Sequence, residues 1–165
     1  EQCELAVLLA KEAGVRIVIN DRADIAMMVG AAGVHVGQDD LPPHAVRSIV
    51  GDDVLVGFST HNVDQAIRAV ELPIDYIAIG PIFPTGTKEN PDPVVGLEGL
   101  TAVRKAVGDF PLLAIGGINV STVRDVLAAG ADSAAIIGAL FSNDLSIEKN
   151  YCTLTEAAQT STATS

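Results

Sequence analysis

The sequence predicts an α/β protein built from repeated βα units around a parallel sheet. Three observations carry that expectation. Six short apolar segments recur along the 165 residues, and almost every one is followed by a stretch with helical periodicity. Three of them, VRIVI (15–19), VLVGF (54–58) and YIAIG (76–80), are β-branched and barely alternate, the pattern of strands covered on both faces. Strand starts near 15, 34, 54, 75, 112 and 134 leave gaps of 19, 20, 21, 37 and 22 residues, four of them the length of one βα unit. Repetition of that unit builds either an open doubly wound sheet or a (β/α)8 barrel.

The elements follow in order. Glu1 opens the chain inside a helix-like pattern, without an initiator methionine. The first strand, Val15 to Ile19, ends in Asn20-Asp21, and the second, Val34 to Gly37, runs into Gln38-Asp39-Asp40. Pro42 and Pro43 then open a helix, because a first-turn residue needs no N–H partner. The third strand, Val54 to Phe58, leads to Ser59-Thr60-His61. Asn62 is placed to cap VDQAIRAV (63–70), with Gln65 in the capping-box position. The fourth, Asp75 to Gly80, runs into PIFPTGTK (81–88), inside the long gap rich in Pro, Gly and Thr. Leu97 to Val107 carries Leu100, Val103 and Val107 on one stripe, and Gly108 stops it. The fifth strand, Leu112 to Ile115, ends in Gly116-Gly117. Ser121 or Asn119 is placed to cap VRDVLAA (123–129), which Gly130 ends. The sixth, Ala134 to Ile137, ends at Gly138. Residues 1–142 therefore read as one domain, and 143–165, finishing in TSTATS, as a weak terminal helix with a disordered tail.

Composition narrows the function. Hydrophobic residues are 48% and charged residues 19%, which suits a packed core rather than a disordered chain. Ten basic against twenty-one acidic residues give −11, the wrong sign for gripping a nucleic-acid backbone. No apolar run approaches the ~18 residues that span a bilayer. Cys3 and Cys152 form neither a metal pair nor a redox pair, so a reducing, cytoplasmic setting is expected.

In α/β folds ligands sit at the carboxyl ends of the strands. All six strand ends here point polar or glycine residues at one rim. Each has a plain structural reading: Asp21 as a helix cap, Asp40 as a turn acid, Ser59 and Thr60 as turn hydroxyls, Lys88 as a solvated loop cation, Gly116-Gly117 as a tight turn. Their shared location argues otherwise. Asp21 and Asp40 end consecutive strands, which in a parallel sheet lie about 4.8 Å apart. Carboxylates that close repel unless a cation bridges them, and oxygen-only ligands favour Mg²⁺ with substrate phosphates. Lys88 adds a mobile positive charge, and the amides of Gly117 and Gly138 are open to an anion. His35 is expected beneath a helix or behind the ligand contacts, His44 on an exposed turn, and His61 packed where its helix begins. Neither a hydrolase triad, a GxGxxG fingerprint nor a GxxxxGK[ST] loop is present.

The strings INDRADIA (19–26), GVHVGQDDLP (33–42), GFSTHN (57–62), YIAIGPIFPTGTK (76–88), VGLEGL (95–100), AIGGIN (114–119) and AGADSAAIIGALF (129–141) resemble, in order, the thiamine-phosphate synthase family. The resemblance implies a (β/α)8 TIM barrel of which about six βα units are present. It implies a transferase of thiamine biosynthesis. A hydroxymethylpyrimidine diphosphate loses pyrophosphate, and the ring nitrogen of a thiazole phosphate captures the pyrimidine cation. Asp21 and Asp40 would hold Mg²⁺. Asn20, Ser59 and Lys88 would bind the pyrimidine diphosphate, with an electrostatic role for Lys88 and no dedicated acid or base. Thr85, Gly86, Thr87, Gly117, Ile137 and Gly138 would seat the thiazole phosphate. The partners implied are small-molecule substrates, with neither nucleic acid nor membrane and with a homo-oligomer left open. The family's Gln-x-Arg-x-Lys motif has no match, and Gly138 stands where the family usually has serine. The chain therefore reads as a piece of a longer protein, weakly active or inactive alone. The alternatives are a thiazole tautomerase, which would not need both carboxylates, and a non-catalytic phosphate-binding or regulatory fragment.

Overall fold

Helix and strand alternate throughout the computed structural model, which describes residues 1–86, 92–141 and 145–159. The order is α1 (Gln2–Glu12), β1 (Val18–Asn20), α2 (Ala23–Val29), β2 (Gly33–Val36), α3 (Pro43–Val50), β3 (Leu55–Thr60) and α4 (Val63–Ala69). It continues with β4 (Tyr76–Ile79), α5 (Gly96–Val107), β5 (Leu112–Ile115), α6 (Val123–Ala128), β6 (Ser133–Ala135), a 3-10 turn (Gly138–Leu140) and α7 (Ile147–Gln159).

The punctuation acts largely as its chemistry dictates. Pro43 opens α3, and Gly108, at φ 61°, closes α5. At α4 the Gln65 amide donates to Asn62 Oδ1 (2.9 Å) while Gln65 Oε1 accepts from the amide of His61 (2.7 Å). That is a capping box displaced by one residue. Helix α6 differs from expectation: it starts behind Thr122, which makes no side-chain cap. Asn119 Oδ1 instead accepts from the Ser121 amide two residues on and shapes the preceding turn.

The third strand runs on to Thr60 instead of ending at Phe58, and the first and last strands are shifted. The first begins at Val18, because Val15 is taken by the end of α1: its amide donates to Ala10 O (2.8 Å), behind Gly14 at φ 68°. The last stops at Ala135, because Ile137 already initiates the 3-10 turn.

The hydrogen-bonded strand order is β1-β2-β3-β4-β5-β6. A doubly wound sheet reverses its order at a switch point; this one never does, which is the succession of a (β/α) barrel. β1 pairs with β2, β2 with β3 and β5 with β6, all parallel. The chain divides into two compact units, residues 1–60 with 68–77, and residues 61–67 with 78 onward. In the first, Val34, Val36, Val46 and Val56 are wholly buried; in the second, Ile79, Ile82, Leu100, Val103 and Val126 are. Strands β1 and β6 are only partly covered.

Each unit contains the same clamp at the amino ends of its strands. In the first, Arg47 donates from Nε to Pro73 O, from Nη1 to Gly51 O and Val54 O, and from Nη2 to Asp75 Oδ2, which also accepts the Val56 amide. In the second, Arg104 donates from Nε to Gly130 O, from Nη1 to Gly108 O and Phe110 O, and from Nη2 to Asp132 Oδ2, which also accepts the Leu112 amide. The sequence repeats accordingly, AVRSIVGD at 45–52 and AVRKAVGD at 102–109, with the aspartate 28 residues beyond the arginine both times.

Candidate functional site

In the first unit the carboxyl ends of β1 and β2 bring two acids together. Asn20 is the last residue of β1, in register with His35 of β2. Asp21 follows at φ 63°, the one described non-glycine residue in the left-handed region, and its amide donates to His35 O (2.8 Å). That conformation costs an L-residue roughly 1 kcal/mol or more and concentrates at functional sites. Asp21 does not cap α2, whose N-terminal flank is Arg22 without a side-chain cap. The Arg22 guanidinium is instead spent on Asp24 (2.8 Å from Nε), whose carboxyl it holds down to about 2.

Asp40 closes the turn after β2 by accepting the Gly37 amide at 2.7 Å. Its carboxyl is near enough to act on that of Asp21. The Asp21 pKa is raised, first by lost hydration and then by the hydrogen bond and charge of Asp40, against a lowering bond from Asn20. Two oxygen acids that resist joint ionisation form a donor set for a hard cation. Among the described residues no group of three or more His, Cys, Asp or Glu is arranged to hold a metal alone. A pair fits Mg²⁺, which takes one or two carboxylates and fills its sphere with water and phosphate oxygens.

Beside this pair runs a half-buried set of hydrogen bonds. His35 Nδ1 lies 3.0 Å from the Tyr76 hydroxyl and Nε2 lies 2.8 Å from Ser59 Oγ. Burial lowers the His35 pKa and raises that of Tyr76, so a neutral imidazole meets a protonated phenol. The neutral ring donates through one nitrogen and accepts through the other, so of the Tyr76 and Ser59 hydroxyls one donates to it and the other accepts from it. Gly57 makes room: a Cβ there would stand 2.1 Å from Tyr76 Cζ and 2.4 Å from His35 Nδ1. Gln38 Nε2 donates to Ser59 O, tying the ends of β2 and β3.

In the second unit the glycine rim is shaped by close backbone approach. The amides of Ile82 and Phe83 donate to Ile115 O (2.9 Å) and Gly116 O (3.1 Å). Gly116 and Gly117 have φ of 98° and 65°, and a Cβ on Gly117 would stand 2.6 Å from Pro84 O. Only glycine fits both the angle and the space. Thr85 is half-buried and Gly86 exposed further along this loop. Ile137 is exposed and Gly138 begins the 3-10 turn in open space.

Of the residues singled out from sequence, Asn20, Asp21, Asp40 and Ser59 thus lie at adjacent strand ends of the first unit. Thr85, Gly86, Gly117, Ile137 and Gly138 lie in the second. Thr87 and Lys88 fall outside the described residues. Tyr76 and Gly57 went unrecognised, although a glycine inside a β-branched strand signals close approach by a neighbour.

A parallel βα sheet whose strands follow one another in chain order defines the barrel-type (β/α) fold class. Within that class, the family model described as "Thiamine monophosphate synthase" matches residues 1–140, and the chain belongs to this family. It is 55% identical over 126 residues to the thiamine-phosphate synthase of Koribacter versatilis, covering 76% of this chain and 59% of that protein. It is 46% identical over 136 residues to that of Chloroflexus aurantiacus, covering 82% and 62%. Among solved structures it is similar to the thiamine phosphate pyrophosphorylase from Pyrococcus furiosus, at 30% identity and TM-score 0.81, covering 94% of this chain and 75% of that one. The chain spans about three fifths of the length of these two curated relatives.

Proposed function

We propose that the whole protein is a thiamine-phosphate synthase, joining 4-amino-2-methyl-5-hydroxymethylpyrimidine diphosphate to thiazole phosphate with release of pyrophosphate. The carboxyl pair of Asp21 and Asp40 carries the reading: family membership says which reaction to consider, and this pair supplies what the reaction demands. Breaking the pyrimidine–diphosphate bond leaves a cation and a pyrophosphate with one more negative charge than the ester carried, so catalysis rests on charge placement rather than on an acid or base. Asp21 and Asp40 would hold Mg²⁺, which when bound neutralises the leaving pyrophosphate. Asn20 and the Ser59 hydroxyl, which is hydrogen-bonded to His35, would bind the pyrimidine diphosphate, and Lys88 would add positive charge to it. Thr85, Gly86, Thr87, Gly117, Ile137 and Gly138 would seat the thiazole phosphate. No described helix is long and apolar enough to cross a membrane. Small-molecule substrates and a cytoplasmic setting accord with this reaction.

The test is pyrophosphate release by the full-length protein given both substrates. Asp21→Ala should lower kcat/KM by about 100-fold or more, in line with losing a main electrostatic contact. Asp24→Asn, whose carboxyl is occupied by Arg22, should leave it within about threefold. Undiminished turnover by Asp21→Ala, or turnover by the wild type after complete Mg²⁺ removal, would overturn the reading.

A further inference from the structure

We infer that His61 is a positioning residue at the base of the β4–α5 connection, holding Gly80 at the carboxyl end of β4 beside Asp92 on the approach to α5. Its Nδ1 lies 2.7 Å from Gly80 O and 3.6 Å from Asp92 Oδ2. A carbonyl oxygen only accepts, so Nδ1 carries the proton. That one N–H makes a hydrogen bond to Gly80 and points positive potential at the Asp92 carboxylate, which lies beyond hydrogen-bond range. The residue is anchored through its backbone, whose N–H donates to Gln65 Oε1, and the side chain is 21% exposed. The same two limbs are joined by backbone, Val95 N–H to Pro81 O at 2.8 Å and Gly96 N–H to Ile82 O at 3.2 Å. His61 therefore adds a side-chain tie beside two backbone ties. A histidine merely packed where a helix begins would not need its proton on Nδ1, nor an acid from the returning limb. The consequence for catalysis rests on the proposed function, because Thr85 and Gly86 sit on this loop as thiazole-phosphate residues.

His61→Ala removes the tie, whereas His61→Asn retains an amide N–H at nearly the reach of Nδ1. Amide exchange at Val95 and Gly96 measures the tie without reference to activity. His61→Ala should speed both by about tenfold, Asp92→Asn should speed them less, and His61→Asn should restore them to within about twofold of wild type. In the full-length enzyme His61→Ala should raise KM for thiazole phosphate about tenfold and leave KM for the pyrimidine diphosphate unchanged, with the same rescue by asparagine. Unchanged exchange in His61→Ala, or exchange in His61→Asn as fast as in alanine, would overturn the inference. Faster exchange with an unmoved thiazole-phosphate KM would leave the tie standing and instead reject the phosphate-binding assignment of the loop.

Discussion

Asp21 combines an unfavourable backbone angle with an unfavourable charge, and both have measurable consequences. Its pKa is raised, so the protonated fold is favoured. The stability this contributes is present at low pH and is lost as pH rises from the ordinary value of 3.8 through the higher folded one. A cation on the pair reverses the cost. Millimolar MgCl₂ should therefore raise Tm at pH 7 and raise it much less at pH 4. Asp40→Asn should raise Tm without Mg²⁺, because the repulsion is gone, and should abolish the Mg²⁺ response. An equal Mg²⁺ shift in Asp40→Asn would separate the metal from this pair. Gly57 supports a different prediction, about packing. A methyl group there overlaps the Tyr76 ring and His35, so Gly57→Ala should cost about 1–3 kcal/mol by urea unfolding. A cost near zero would mean that the His35–Tyr76 contact is not held in solution.

The clamps belong to the scale of elements, since each joins a helix, the following turn and two strand starts. The Arg47 and Arg104 side chains are 16% and 21% exposed but Asp75 and Asp132 are 38% and 59% exposed, so the ion pairs themselves are worth under about 1 kcal/mol and the weight lies on the backbone carbonyls. Each arginine satisfies three backbone carbonyls and one carboxylate. Arg47→Met and Arg104→Met should each destabilise by about 2–4 kcal/mol in urea, chiefly through orphaned carbonyls. The Asp132 pKa is lowered, first by the Leu112 amide and then by Arg104. Its contribution is thus present above the ordinary carboxylate value of 3.8 and is lost as pH falls through the lower folded one. Asp132→Asn should flatten the acid limb of the stability curve, and an unchanged limb would show that the carboxylate is idle. The clamps were legible all along in the repeat AVRxxVGD, but hydrophobic periodicity does not register a buried arginine. Helix punctuation by Pro43, Asn62 and Gly108 was readable because each acts through its own backbone or nearest turn. The start of β1 was not, since Val15 looks like strand and is claimed by the end of α1.

For the molecule as a whole, the strand-end rule expects Asp21, Asp40 and Ser59 at one edge, and the register of β1, β2 and β3 puts them at adjacent strand ends. It could not find Tyr76, which reaches His35 only through the space that Gly57 leaves. Nor does a local pattern tell which apolar residues find a neighbour. On α1, Leu5, Leu8 and Leu9 form one stripe at i, i+3 and i+4, yet they are 59%, 61% and 56% exposed. Val18, on the partly covered β1, is 39% exposed. Exposed apolar residues on a helix and on a partly covered strand favour association. The net charge of −11 opposes it by long-range repulsion, which salt screens over about 10 Å at 0.1 M. The two forces predict opposite responses to ionic strength. If the leucine stripe dominates, the 165-residue chain should self-associate in sedimentation velocity, more strongly as NaCl is raised. Leu8→Lys should weaken that association and reduce binding of an apolar fluorescent dye. Association that falls with salt would instead identify a charged contact, and a dye-silent monomer at all salt concentrations would mean that the stripe is covered in solution.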